Sequence, residues 1–159
     1  MNSEFLTRAR HYLRGTSWVW IDLDDTLIDF HTNSRRALEL TYGLVPQLPE
    51  LFPTADDWKD AYLLHNHALW DRYNRAEITQ DYLRIHRFTD PLSQASATPA
   101  DGWIPLARHL DTLYLDLLAR QTAMIPGARA LVGHLRRWHY NIGILSTVYV
   151  DVQHRKLDT

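Results

Sequence analysis

The sequence predicts an α/β protein whose parallel-strand core is interrupted by a long helical insertion, and three observations carry that reading. The stretch "WVWIDL", Trp18 to Leu23, is apolar almost throughout rather than alternating, as expected of a strand covered on both faces. From about Asn33 to Gln121 the apolar residues recur only at helical spacing. At Ile125 a helical pattern returns, followed by a second strand-like run, "NIGILST". A strand, a helix and a strand in that order imply a parallel pair with a right-handed crossover, so both strands end on the same sheet edge. In open α/β folds that edge binds the ligand.

Taken in order, "MNSEFLTRARHYLRG" places Leu6, Ala9 and Leu13 on one face with Arg8, Arg10 and Arg14 outside it, and Gly15 follows. It reads as a surface helix rather than a transit peptide, and it lacks the apolar region of a secretory signal. After the first strand, "NSRRALELTYG" predicts a helix ending at Gly43, and "VPQLPELFPT" a Pro-rich connector. "ADDWKDAYLLHNHALWDRYNRAE" carries Trp58, Tyr62, Leu69 and Tyr73 at helical spacing. In "ITQDYLRIHRF" Thr79 can cap the start of the next helix. "SQASATPADG" is the most loop-like and mobile stretch. "DGWIPLARHLDTLYLDLLARQ" follows, with an apolar stripe at Leu106, Leu110, Leu113 and Leu117. "IPGARALVGHLRRWHY" predicts a helix with Leu131, Leu135 and Trp138 on one face, and "VYVDVQHRKLDT" opens another helix after the second strand. The expected division is therefore core at 1–32, helical block at 33–121 and core again at 122–159.

The bulk properties exclude several classes. A chain of 159 residues with 45% hydrophobic residues can bury a core, and a net charge of -2 lacks the basic bias of nucleic-acid binders. With no cysteine there is no disulfide framework, thiolate metal site or cysteine nucleophile. No apolar run reaches the roughly 18 residues of a membrane span. These features predict a cytoplasmic protein with neither nucleic-acid nor membrane partners.

The informative stretch is "WVWIDLDDTLIDF", where Asp22, Asp24, Asp25 and Asp29 interrupt an apolar run. Burying an unpaired carboxylate costs several kcal/mol, so something must compensate. Side chains alternate along an extended chain, so Asp22 and Asp24 can face one side while Leu23 faces the other. Two carboxylates sharing a small volume either share a proton or share a cation. Oxygen-only donors suit a hard ion such as Mg²⁺. Thr26 adds a hydroxyl in the same loop, and Ser146, ending "ILST", places another on the same sheet edge. Such a set suits a phosphate. An EF-hand loop starting at Asp22 would need Gly at its sixth position and Glu at its twelfth, where this chain has Leu27 and Asn33.

"DLDDTL" and "ILST" resemble the first and second motifs of the haloacid dehalogenase (HAD) superfamily, a strand ending in D-x-D-x-T and a later strand ending in Ser or Thr. The helical block resembles the inserted cap of one subgroup. "LWDRYNRAEITQDYLRIHRF", "IPGARALVGHLRRWHYNIGILST" and "DVQHRKL" are similar to its nucleotidase-like phosphatases. The resemblance implies a HAD-like, Rossmann-like parallel-sheet core with a helical cap. It also implies a Mg²⁺-dependent phosphomonoesterase acting on a small phosphorylated metabolite, with a nucleotide among the candidates. Asp22 is then the nucleophile that forms an aspartyl-phosphate, Asp24 the general acid, Thr26 a support of the loop and Ser146 a ligand of the phosphoryl group. Carbon–halogen hydrolysis needs no acid two residues after the nucleophile, so Asp24 favours phosphate esters.

The family's Lys and late acidic pair lie beyond the second motif, and Lys156 is too close to Ser146 to take the Lys role. The resemblance thus implies a C-terminally truncated core, with two consequences. One is self-association through an uncovered sheet edge; the other is an alternative reading as a non-catalytic fragment that keeps only a binding surface.

Other motifs read structurally. Asp25 and Asp29 are capping candidates, although Asp29 or His31 could face a substrate. His65 and His67 of "HNH" are two apart on a helix and diverge. Trp58, Trp70, Tyr73 and Tyr82 read as core before they read as a cleft.

Overall fold

The computed structural model describes residues 3–146, and the helix expected from "VYVDVQHRKLDT" lies outside them. The elements are α1 (Ser3–Tyr12), β1 (Trp18–Asp22), α2 (Phe30–Leu44), α3 (Gln47–Leu51), α4 (Ala55–Asn74) and α5 (Gln80–Ala95). A 3-10 turn at Ala100–Trp103, α6 (Ile104–Ala119), α7 (Ala128–Arg137) and β2 (Asn141–Leu145) complete them. The described residues up to Asn33 and from Thr122 onward form one compact unit, and Ser34–Gln121 forms a second.

In the first unit β1 and β2 pair in parallel, in a register running from Trp18 opposite Asn141 to Asp22 opposite Leu145. Ile21, Leu23, Leu27, Ala128 and Leu135 form its buried centre, with Val19, Ile142, Ile144, Leu131 and Trp138 packed around them. The stripe at Leu131, Leu135 and Trp138 therefore serves α7 as its periodicity predicts. Leu13 of the N-terminal segment joins the same core, and Gly15 takes a left-handed φ of 80° just beyond α1.

The expectation that β1 is covered on both faces is corrected. Among the described residues Ile21 is buried, whereas Trp18 and Trp20 on the opposite face are 49% and 57% exposed. Their indoles stack on each other with centroids 5.5 Å apart. The register sets Gly143 opposite Trp20, and a Cβ at Gly143 would come within 2.3 Å of the Trp20 ring. The glycine is what lets the indole lie down across the neighbouring strand. Apolar composition alone does not tell a covered face from a self-stacked aromatic one.

In the second unit Trp58, Tyr62, Phe88 and Tyr114 form an aromatic centre. The rings of Tyr62 and Phe88 are 5.1 Å apart and those of Tyr62 and Tyr114 5.5 Å apart. Trp58 is fully buried and its indole N–H donates to Thr41 Oγ1 at 3.1 Å, which makes it a core residue. The caps follow the local chemistry: Thr54 and Asp57 close a capping box on α4, and the Thr79 hydroxyl accepts from Tyr82 N–H at the start of α5.

One local expectation changes in this unit, and two further stretches are specified. The "VPQLPELFPT" connector contains the short helix α3, which buries Leu48. Helix α5 continues past Pro91 to Ala95; Pro91 and Leu92 are both buried, and that packing outweighs the one backbone hydrogen bond a proline removes. "SQASATPADG" is held by the Ser93 hydroxyl on Thr98 O and the Trp103 indole N–H on Ser96 Oγ.

The face of α6 is also rotated from the leucine stripe. Leu110 is buried, but it is joined by Ala107, Asp111, Tyr114 and Leu118 rather than by Leu106, Leu113 and Leu117. Asp111 draws this face inward by accepting from Arg84 Nε at 2.9 Å and from Arg87 Nη2 at 2.5 Å. Burial acts to lower the Arg87 pKa, and it is outweighed by attraction from Tyr62, Asp111 and Tyr114, so Arg87 is held above its ordinary value. No helix among the described residues is long and apolar enough to cross a membrane.

Candidate active site

The acidic run lies where β1 gives way to a tight loop. The carbonyl oxygen of Leu23 accepts from both Leu27 N–H and Ile28 N–H at 2.9 Å. Leu23 and Leu27 are buried and anchor the loop from beneath. Ile28 bridges to Asp24 on one side and to Met124 on the other. With Leu23 held inward, its neighbours turn outward: Asp22 is exposed and Asp24 half-buried. The carboxylates therefore meet solvent, which corrects the premise that the run buries them.

Two of the four acidic residues are accounted for by capping. Asp25 takes a left-handed φ of 55°, a conformation Asp tolerates better than most residues. Its Oδ1 accepts from the N–H groups of Phe30 at 3.0 Å and His31 at 3.3 Å. These N–H groups lie in the first turn of α2, where no intrahelical carbonyl takes them, and that of Phe30 also donates to Ile28 O at 2.9 Å. Asp29 precedes α2 and accepts from Thr32 N–H at 2.9 Å and from the Thr32 hydroxyl at 2.8 Å. The Thr32 backbone bond, then its side-chain bond, hold the Asp29 carboxyl below its ordinary value, with a smaller contribution from His31.

Asp22 and Asp24 remain. The Thr26 hydroxyl donates to Asp22 Oδ2 at 3.2 Å, so the loop orients this carboxylate. The parallel register sets Leu145 opposite Asp22, and Ser146, exposed, follows at once. Asp22, Asp24, Thr26 and Ser146 thus all lie at the C-terminal edge of the two strands.

Among the described residues no group of three or more His, Asp or Glu is gathered in a way that could hold a metal. One exposed and one half-buried carboxylate at one strand end nevertheless suit Mg²⁺. This ion keeps several waters and commonly takes only one or two protein carboxylates alongside a substrate phosphate. His65 is occupied elsewhere, with its Nε2 2.8 Å from Gln94 Oε1.

Asn33 was not singled out as a functional residue by its sequence context. It is buried, its amide nitrogen donates to Ala123 O at 3.0 Å, and its amide oxygen accepts from Ala123 N–H at 3.0 Å. Asp29 N–H donates to the same carbonyl, and Ile125 N–H donates to Leu27 O. The chain returning at Ala123–Ile125 is thereby tied to the loop that carries the carboxylates. The partners are 90 residues apart, so no local signal could have shown it.

No family model matches the chain. Its sequence is 26% identical over 136 residues to YfnB of Bacillus subtilis (strain 168), a protein with a HAD-hydrolase designation. The match covers 86% of this chain and 53% of YfnB. The structure aligns with the crystal structure of the orthorhombic form of YfnB at a TM-score of 0.71 and 24% identity, covering 89% of this chain and 58% of that one. The chain has a HAD-type fold. That crystal structure is bound to magnesium and is described as revealing interdomain movement. This chain spans little more than half the length of YfnB. Sequence and fold thus agree in likening the chain as a whole to a HAD hydrolase.

Proposed function

We propose that the protein is a Mg²⁺-dependent phosphomonoesterase of the HAD type, acting in the cytoplasm on a small phosphorylated metabolite. The observation that carries this reading is the outward pair Asp22 and Asp24 flanking the buried Leu23 at the end of a parallel strand, with Thr26 donating to Asp22.

In this mechanism a carboxylate oxygen of Asp22 attacks phosphorus, and the bond from phosphorus to the ester oxygen breaks as Asp24 gives that oxygen its proton. Asp24, now a carboxylate, takes a proton from water. The resulting hydroxide attacks the aspartyl-phosphate, which frees Asp22 and releases inorganic phosphate. Thr26 holds the attacking carboxylate in place, and the Ser146 hydroxyl contacts the phosphoryl oxygens. Asp22 would hold the Mg²⁺ through its carboxylate and Asp24 through an oxygen other than the one that carries its proton, and the charge of the ion would offset that of the phosphoryl group when bound.

A panel of phosphate esters assayed with Mg²⁺ tests the reading. Asp22→Asn should remove turnover and Asp24→Asn most of it, because the nucleophilic and acid steps act as a unit. Near-native turnover in Asp22→Asn would exclude the covalent route.

A further inference from the structure

Helices α5 and α6 each turn an i, i+3, i+4 triplet toward a common space: Asp81, Arg84 and Ile85 from α5, and Arg108, Asp111 and Thr112 from α6. Together they line a cleft of about 430 Å³ within the helical unit. That volume lies within the usual range for small-molecule sites.

The charges are arranged asymmetrically. At one side the side chain of Asp111 is 6% exposed, and its two oxygens are shared by Arg84 and Arg87. One carboxylate between two guanidiniums leaves net positive charge on a rigid, partly desolvated base. Arg108 adds a further guanidinium, which makes no ion pair among the described residues, and the Thr112 hydroxyl donates to its backbone carbonyl. Asp81 opposes them, and Ile85 supplies an apolar wall.

We infer that this cleft is a binding site for a small oxyanion, a carboxylate or phosphoryl group that Arg108 takes in a two-pronged contact. The Arg84–Asp111–Arg87 cluster supplies the attracting field, and Asp81 accepts from a hydroxyl or ammonium group on the same ligand. A guanidinium fork matches both oxyanions geometrically. A base already fixed by ion pairs loses little freedom on binding. Its lining residues all belong to the helical unit, and the inference does not depend on the phosphatase reading.

The test is an amide NMR titration of the metal-free protein with inorganic phosphate and, separately, with acetate. Saturable shifts at residues 81–85 and 108–112, with dissociation constants of about millimolar or below, are expected for at least one of the two. The pair tells a phosphoryl site from a carboxylate site. Arg108→Gln, an exposed change that should leave the spectrum dispersed, should weaken binding about tenfold or more. Asp81→Asn should tighten it by removing the opposing charge. Ser146→Ala should leave these shifts unchanged, which separates this site from the proposed phosphoryl site. Shifts that do not saturate, that stay on the 22–26 loop, or that persist unaltered in Arg108→Gln would overturn the inference.

Discussion

Replacing Asp111 by Asn removes one charge from the helical unit while keeping the side chain's shape. In the wild-type protein Arg87 has a side chain only 4% exposed, and its one charged partner among the described residues is Asp111, itself 6% exposed. The Arg87 Nε is also buried and has no hydrogen-bond partner among the described residues. Arg87 cannot escape by losing its proton, because a guanidinium stays protonated in proteins. Its guanidinium lies 5.2 Å from the Phe88 ring and 5.3 Å from the Tyr114 ring, but these attractions are the same in both proteins and do not offset the loss. Arg84, 31% exposed, can turn toward water and adds little. The expected cost is therefore that of a stranded buried charge, about 3–5 kcal/mol. For a unit of this size each kcal/mol moves the midpoint by about 4–8 °C, so the thermal transition of the helical unit should fall by at least about 12 °C. Urea unfolding followed by circular dichroism at 222 nm measures the loss. The double variant Arg87→Met, Asp111→Leu should recover most of it, because replacing a whole buried pair by apolar residues is often neutral. A loss below about 1 kcal/mol in Asp111→Asn, the size of a surface pair, would refute the claim that Asp111 compensates a desolvated charge.

Gly143→Ala should cost about 1–3 kcal/mol by overpacking, because the new methyl meets the Trp20 ring; loss of the near-ultraviolet signal of the Trp18–Trp20 stack would accompany it. Asp29 has a lowered pKa, owing first to its bond from Thr32 N–H. Its capping contribution is therefore fully present above the ordinary value of 3.8 and is lost as pH falls through the lower folded value. A carboxyl NMR titration should find its midpoint below 3.8. Calorimetry should find Mg²⁺ binding in the wild-type protein and its loss in the Asp22→Asn, Asp24→Asn double variant; equal affinity in both would remove these carboxylates as the metal site.

What could be read from the sequence follows from which signals are local. The Thr79 cap, the α7 stripe and the strand before "DLDDTL" depend on residues within one or two turns of each other, and all three appear as expected. The start of α2 was displaced. Its periodic pattern begins near Asn33, yet the helix begins at Phe30, because Asp25 reaches five and six residues forward to cap it. The buried face of α6 was misplaced for a related reason. Periodicity counts leucines and assigns an aspartate to solvent, and only the approach of α5 shows that Asp111 answers Arg84 and Arg87.

The candidate site divides along the same line. Alternation around Leu23 was enough to put Asp22 and Asp24 on one side of the chain, and the structure adds the reason the alternation holds beyond the strand's last residue. Leu23 is anchored in the core and its carbonyl closes the loop, so the chain cannot rotate either carboxylate inward without giving up a buried leucine and two hydrogen bonds. Full burial of a leucine contributes roughly 1.5–3 kcal/mol and each hydrogen bond roughly 0.5–1.5 kcal/mol. The outward presentation of the pair is therefore favoured by several kcal/mol before any ligand arrives. In the opposite sense, Asp25 and Asp29 are spent on the first turn of α2 and are poor candidates for chemistry, although composition alone places all four carboxylates in one run. Sequence proximity collects the charges, and the backbone hydrogen bonds show that two of them, Asp25 and Asp29, serve the start of α2.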